Sequence, residues 1–199
     1  MKKKRIGIFG GTFNPPHNGH IMSAKHFIDE MSLDKLLIIP TFIPPHKSYN
    51  SQVTCEERLE MCKLAFSEIE KAYVSDVEIM RGGTSYTYIT LQELDADDIQ
   101  LFMLCGTDMM LSIDTWKNPQ IIFESADICY VRREEDSETA ALLEEKCKEY
   151  TLKFGARIHS LKNDVIDISS TEIRESFDKM KENVPIGVLK YITEKGLYK

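Results

Sequence analysis

The stretch RIGIFGGTFNPPHNGHIMSAKHFIDEMSLDKLLII, residues 5–39, decides the fold class. The apolar run at 5–9 predicts a strand, and Gly10 and Gly11 end it. Ile21, Ala24, Ile28 and Met31 then recur at spacings of three and four, giving a helix that starts near His20 one apolar face. A second apolar run, 35–39, follows. Strand, glycine turn, helix and strand make a βαβ unit, whose two strands lie parallel.

The remainder of the chain repeats this alternation. Strands are predicted at 73–79, 99–104, 127–131 and 156–161. Thr54 followed by Glu57 is a capping-box pattern, and Leu59, Cys62, Phe66 and Ile69 continue it as one apolar stripe. Further helices are predicted at 87–94, 118–124, 137–150, 170–180 and 185–195. The expectation is an α/β fold: a Rossmann-like, doubly wound parallel sheet of about six strands with flanking helices. One domain over 1–199 is expected, with a helical C-terminal portion at about 169–199. Ligands of such sheets bind beyond the carboxyl ends of the strands, where loops lead into helices.

Composition narrows the function classes. With 199 residues, 42% of them hydrophobic, the chain can bury an ordinary apolar core without disulfides or structural metal. Cys55, Cys62, Cys105, Cys129 and Cys147 are scattered and form no Cys-x-x-Cys pair, which points to a reducing, cytoplasmic setting. The basic opening is broken by Gly7, Gly10 and Gly11 too early for a signal peptide, and no apolar run is long enough to span a bilayer. Lys and Arg number 25 against 32 Asp and Glu, a net charge of −7, which argues against nucleic-acid and anionic-membrane partners. A homo-oligomer is compatible with this composition but not required by it. Any anionic ligand must meet a local positive site.

Residues 7–20 supply the candidate for that site. Gly10 and Gly11 let a phosphate or sugar approach the backbone N–H groups, yet the stretch has neither the Lys-Ser/Thr ending of a P-loop nor a G-x-G-x-x-G spacing. His17 and His20 stand in their place. Two ring donors beside a helix N-terminus can stabilise charge that develops on a phosphoryl group during in-line displacement. Taken alone, such a pair is more often a surface histidine and a stand-in N-cap, and the phosphate reading gains its weight from the glycines, the preceding strand and the remaining motifs. The two histidines read less well as a metal pair, because no nearby cysteine or carboxylate completes a ligand set. Pro44 and Pro45 stiffen a loop carrying His46 and Lys47. Ser169 or Ser170 can cap a helix carrying Glu172 and Arg174. Asp108 follows the apolar run LFMLC and either meets ribose hydroxyls or caps the next helix. Trp116, the only tryptophan, has polar neighbours and suits an exposed loop, whereas Met61, Met109 and Met110 read as core.

GGTFNPPHNGH resembles the Gly-Gly-x-Phe-(Asp/Asn)-Pro-x-His-x-Gly-His signature of the HxGH nucleotidyltransferase superfamily, in particular the bacterial nicotinate-mononucleotide adenylyltransferases. IPPHK at 43–47, SYT at 85–87, GTD at 106–108 with Trp116, ISSTEIR at 168–174 and the closing VLKYITEKGLYK resemble that family in the expected order over essentially the full length. The resemblance implies one nucleotidyltransferase domain that transfers adenylate from ATP to nicotinate mononucleotide, with Mg2+ bound mainly through the ATP phosphates and no protein metal site. It implies that His17, His20, Lys47 and Arg174 are catalytic. ATP would also meet Gly10, Gly11, Thr12, Phe13, Gly106 and Asp108, together with Ile168, Ser170 and Thr171. The mononucleotide would meet Asn14, His46, Lys47 and Arg133, its pyridine ring stacking on Trp116 beside Tyr86 and Thr87. The sequence departs from the pattern in two places. Ile89 stands where many members carry aspartate, and Glu134 and Glu135 follow Arg133 where a Pro-Gly turn is common. The nearest rivals are a transferase acting on phosphopantetheine and a nucleotide sensor without turnover.

Overall fold

A computed structural model describes residues 3–45, 53–131, 137–162 and 169–198. Strands β1 (Lys4–Gly11), β2 (Lys35–Pro40), β3 (Ala72–Val74), β4 (Ile99–Gly106), β5 (Ala126–Val131) and β6 (Ile158–Ser160) form one sheet in the order β3-β2-β1-β4-β5-β6. Every pairing is parallel. Parallel pairing needs crossovers, and these are helices: α1 (Asn18–Glu30), α2 (Cys55–Phe66), α3 (Val77–Arg81), α4 (Thr87–Leu94), α5 (Thr107–Ser112) and α6 (Pro119–Ser125). Helix α7 (Ser137–Phe154) is the crossover from β5 to β6, after which the chain continues through α8 (Ser170–Glu175), α9 (Phe177–Asn183) and α10 (Ile186–Lys195). A 3-10 turn, Ile113–Thr115, links α5 to α6.

Both sheet faces are covered, and β4 shows how. Phe102 and Leu104 belong to the core beneath α1, α2 and α10, whereas Leu101, Met103 and Cys105 belong to the core beneath α4, α6 and α7. A strand buried on both sides reads as an unbroken apolar run, as LFMLC does. Gly7 has a packing role. A β-carbon there would lie 2.4 Å from Leu33 Cδ1 and 2.9 Å from Phe27 Cε1, so the absent side chain lets α1 and its following turn settle on β1. Thr54 caps α2 as the sequence predicts: Glu57 N–H donates to Thr54 Oγ1 at 3.1 Å, and Thr54 N–H donates to Glu57 Oε2 at 2.8 Å.

The α/β expectation holds, with differences at element ends. The strand expected at 73–79 stops at Val74, because Ser75 and Asp76 turn the chain and Val77 opens α3. The strand expected at 156–161 is only Ile158–Ser160. The helix expected at 170–180 is two helices, since Ser176 adopts an extended conformation (φ −148°, ψ 131°) between α8 and α9. Helices α3 and α5, with five and six residues, are too short to print an apolar stripe on the sequence.

Candidate active site

The strand order reverses at the β1–β4 junction, where successive crossovers leave on opposite faces of the sheet and open a crevice beyond the carboxyl ends. A cavity of about 480 Å3 lies there. Gly10, Gly11 and Thr12 from the end of β1 form part of its wall, and Asp108 contributes from α5. Tyr86, Thr87 and Trp116 line it with Pro44, Pro45 and Ser85. A β-carbon on Gly10 would meet nothing within 4 Å, so that backbone faces open space where a ligand can come close.

The two histidines stand beyond the glycine turn, at the N-terminus of α1. His17 occupies the N-cap position and is 3% exposed. Its backbone N–H donates to Nδ1 of His20 at 3.1 Å, so that nitrogen is an acceptor and the ring proton of His20 sits on Nε2. The rings lie 3.7 Å apart between centroids, 34° from coplanar, and Phe13 supports His20 edge-on at 5.0 Å. Capping and ring orientation therefore go together: the same bond that closes the helix end fixes the tautomer and aim of the His20 donor.

Residues from the far end of the chain converge on this loop. Arg174 Nη1 donates to the carbonyl of Asn14 at 2.7 Å, and its Nη2 donates to Thr171 Oγ1 at 3.2 Å. Ser170 Oγ donates to the carbonyl of Pro15 at 2.9 Å, and the Tyr198 hydroxyl donates to Asn14 Oδ1. Ser169, not Ser170, caps α8 by accepting from the Glu172 N–H at 3.2 Å. Asp108 is not a helix cap, because Gly106 holds that position and Asp108 lies in the first turn of α5.

Two groups of predicted residues are thus assembled. Gly10, Gly11, Thr12, Asp108, Tyr86, Thr87 and Trp116 line the cavity, while Asn14, His17, His20, Ser170, Thr171 and Arg174 surround the loop beside it. The side chain of Phe13 is 2% exposed and packs edge-on to Phe66, so it serves as core and props His20. Met109, read as core, is half-buried and lines the cavity. Trp116 is half-buried, with one side against the core. His46, Lys47, Arg133 and Ile168 lie outside the described residues, as do Glu134 and Glu135.

Arg58 was not apparent as a site residue. It is 0% exposed; Nη1 donates to the carbonyl of Thr12 at 2.8 Å and Nη2 to the carbonyls of Thr41 at 2.5 Å and Phe42 at 3.2 Å. It thereby ties the glycine loop to the loop after β2. The Phe42 N–H donates to Ser85 Oγ at 2.9 Å, which ties that loop in turn to the start of α4. A charge four residues before Cys62, on the apolar stripe of α2, is the sequence signal for Arg58. Glu78 is a second such residue. It is buried in the cavity wall, accepts from Thr90 Oγ1 at 2.7 Å on Oε1, and lies 3.8 Å from Arg81 Nη2. Among the described residues, no group of three or more His, Cys, Asp or Glu is placed to cage a metal ion.

Comparison with known proteins agrees with this geometry. The family model described as cytidylyltransferase-like matches residues 8–176. A nicotinate-nucleotide adenylyltransferase of Desulfatibacillum aliphaticivorans is 34% identical, covering 98% of this chain and 99% of that protein. One of Clostridium tetani is 36% identical over the whole of both. The structure of the nicotinic acid mononucleotide adenylyltransferase of Plasmodium falciparum, complexed with NaAD, superposes with a TM-score of 0.72 at 16% identity, covering 98% of this chain and 97% of that one. At that identity the likeness speaks for the fold, and the kinship rests on the full-length sequence relatives. This chain belongs to the cytidylyltransferase-like family and, within it, to the nicotinate-nucleotide adenylyltransferases.

Proposed function

We propose that this chain transfers the adenylyl group of ATP to nicotinate mononucleotide, releasing pyrophosphate and forming nicotinate adenine dinucleotide. The observation that carries the reading is the histidine pair, held at the start of α1 beside the glycine turn and the switch-point cavity.

In this reading the triphosphate lies along Gly10 to Thr12 and the first turn of α1, where backbone N–H groups and the helix dipole favour an anion. A phosphate oxygen of the mononucleotide attacks the α-phosphorus of ATP. A new P–O bond forms, and the bond to the bridging α–β oxygen breaks with its electron pair leaving on pyrophosphate. The attacking phosphate is already ionised near neutral pH, so neither a general base nor a protein-bound intermediate is needed. Holding the two nucleotides in line supplies much of the rate. His20 presents its Nε2–H to the transferring phosphate oxygens, with His17 beside it. Arg174 and Lys47 hold the triphosphate tail, Ser170 and Thr171 its terminal oxygens, and Asp108 the ribose hydroxyls. Trp116, Tyr86 and Thr87 receive the pyridine end, where an aromatic face suits a cationic ring. A magnesium ion carried by the nucleotide would be held through phosphate oxygens and water and would supply charge neutralisation on the leaving pyrophosphate; among the described residues no carboxylate cage is placed to hold it. The whole chain acts as one transferase domain in the cytoplasm, a setting in keeping with its free cysteines. Among the described residues, no helix is long and apolar enough to cross a membrane.

Pyrophosphate release with ATP and each of nicotinate mononucleotide, nicotinamide mononucleotide and phosphopantetheine tests the reading. Turnover is expected to be fastest with nicotinate mononucleotide. Faster turnover of phosphopantetheine, or none with any acceptor, would reject it.

A further inference from the structure

The pyridine end of the cavity carries a charge with no role so far. Among the described residues of the wall, the charged ones are Glu78, Asp108 and Lys117. Glu78 is an anion and offers nothing to a negatively charged ligand group; its Oε1 accepts from Thr90 and lies 3.8 Å from Arg81, while its buried Oε2 has no hydrogen-bond partner among the described residues. Asp108 stands on α5, where the nucleoside of ATP is placed. Lys117 is the described cation of this wall, and its ammonium rests over the ring of Tyr86 at 4.5 Å from the centroid.

Its mounting is firm although its side chain is exposed. Lys117 follows Trp116 directly. Asn118 is left-handed (φ 53°, ψ 55°) and Pro119 opens α6, so the backbone on either side is fixed. Tyr86 is the N-cap of α4 and Thr87 its first residue, and the first N–H groups of a helix have no partner within it. One small region therefore holds a helix N-terminus, an aromatic face and an ammonium.

We propose that Lys117 is a specificity-determining residue that selects a carboxylate over a carboxamide on the acceptor's pyridine ring. The inference rests on the proposed function and deepens it. The ammonium of Lys117 is exposed and so lightly held on the half-buried ring of Tyr86, whereas its bond to a carboxylate is charge-assisted, so the bound acid draws Lys117 off Tyr86 and onto its own oxygens. The freed face of Tyr86 is then open to the cationic ring. A carboxamide offers no negative charge and gains little from the exchange.

The test compares wild type, K117M and K117R with nicotinate and nicotinamide mononucleotides. The readout is the ratio of kcat/KM for acid over amide, or of competitive inhibition constants where the amide is not turned over. In K117M the ratio is expected to fall about tenfold, carried by loss on the acid, and in K117R to stay within about twofold of wild type. A ratio unchanged in K117M, an equal loss on both substrates, or no acid preference in wild type would overturn the assignment. Failure of the underlying function looks different: wild type would then release no pyrophosphate from ATP with either mononucleotide.

Discussion

His17 stands where a helix end meets the proposed reaction centre. Its ring lies 3.7 Å from that of His20, and its backbone N–H fixes the His20 tautomer. On the proposed mechanism, replacing it with alanine removes a donor to the transition state, so kcat is expected to fall by about 100-fold or more with KM little changed. His17→Ala keeps the backbone N–H that bonds His20 Nδ1, so the cost in stability, about 1 kcal/mol by chemical denaturation, is far too small to explain such a fall. Near-normal turnover in His17→Ala would remove the histidine pair from the mechanism. Arg58 makes the opposite prediction. Its guanidinium donates to the carbonyls of Thr12, Thr41 and Phe42 from full burial, so Arg58→Met leaves buried acceptors stranded and should cost about 3 kcal/mol or more. Arg58→Lys keeps the charge but not the fork, and should recover only part of that stability in urea melts. A urea midpoint in Arg58→Met equal to wild type would show that the clamp contributes nothing.

At the scale of elements, the cavity wall that carries Trp116 is braced from behind. Asp114, in the 3-10 turn that precedes Trp116, accepts from Lys146 Nζ at 3.0 Å and from the Tyr150 hydroxyl at 2.8 Å, both on α7. Burial opposes ionisation of Asp114, but these two donors outweigh it and hold its pKa below the ordinary 3.8. A carboxylate depressed in the folded state stabilises the fold fully above its unfolded pKa, and that stability is lost as pH falls through the folded value. Asp114→Asn should therefore cost about 1–3 kcal/mol at pH 7, and the difference from wild type should shrink once the pH drops below about 3.8. Urea unfolding across that range reads the effect, and a pH-independent difference would exclude ionisation as its source. The legibility of these elements followed the physics of burial. β4 and α2 were plain because their apolar residues are packed on several sides, and the Thr54–Glu57 box is closed by local bonds. The brace at Asp114 was not, because its partners lie 32 and 36 residues away and leave no local spacing to read.

The same contrast separates the motif from its support across the whole molecule. The glycines and histidines of the first loop could be read because their chemistry is local to 7–20, whereas what holds the loop comes from residues remote in sequence. Arg174 reaches Asn14 from 160 residues away, Ser170 reaches Pro15 from 155, and Tyr198 reaches Asn14 from 184. The closing helices, packed through Val188 and Ile192 into the core beneath α1 and α2, are thereby part of the site's scaffold rather than an appendage. If that is their function, the Tyr198–Asn14 bond should be visible in catalysis as well as in stability. Tyr198→Phe removes the donor and keeps the ring. It should cost about 1 kcal/mol of stability and lower kcat several-fold, since the loop carrying His17 is then less firmly placed. Asn14→Ala removes the acceptor Oδ1 but keeps the carbonyl that Arg174 uses. In a double-mutant cycle the two changes should couple by about 1 kcal/mol in kcat, because each abolishes the same bond. Additive losses would mean that Tyr198 and Asn14 act separately, and that the far end of the chain supports the fold without tuning the loop.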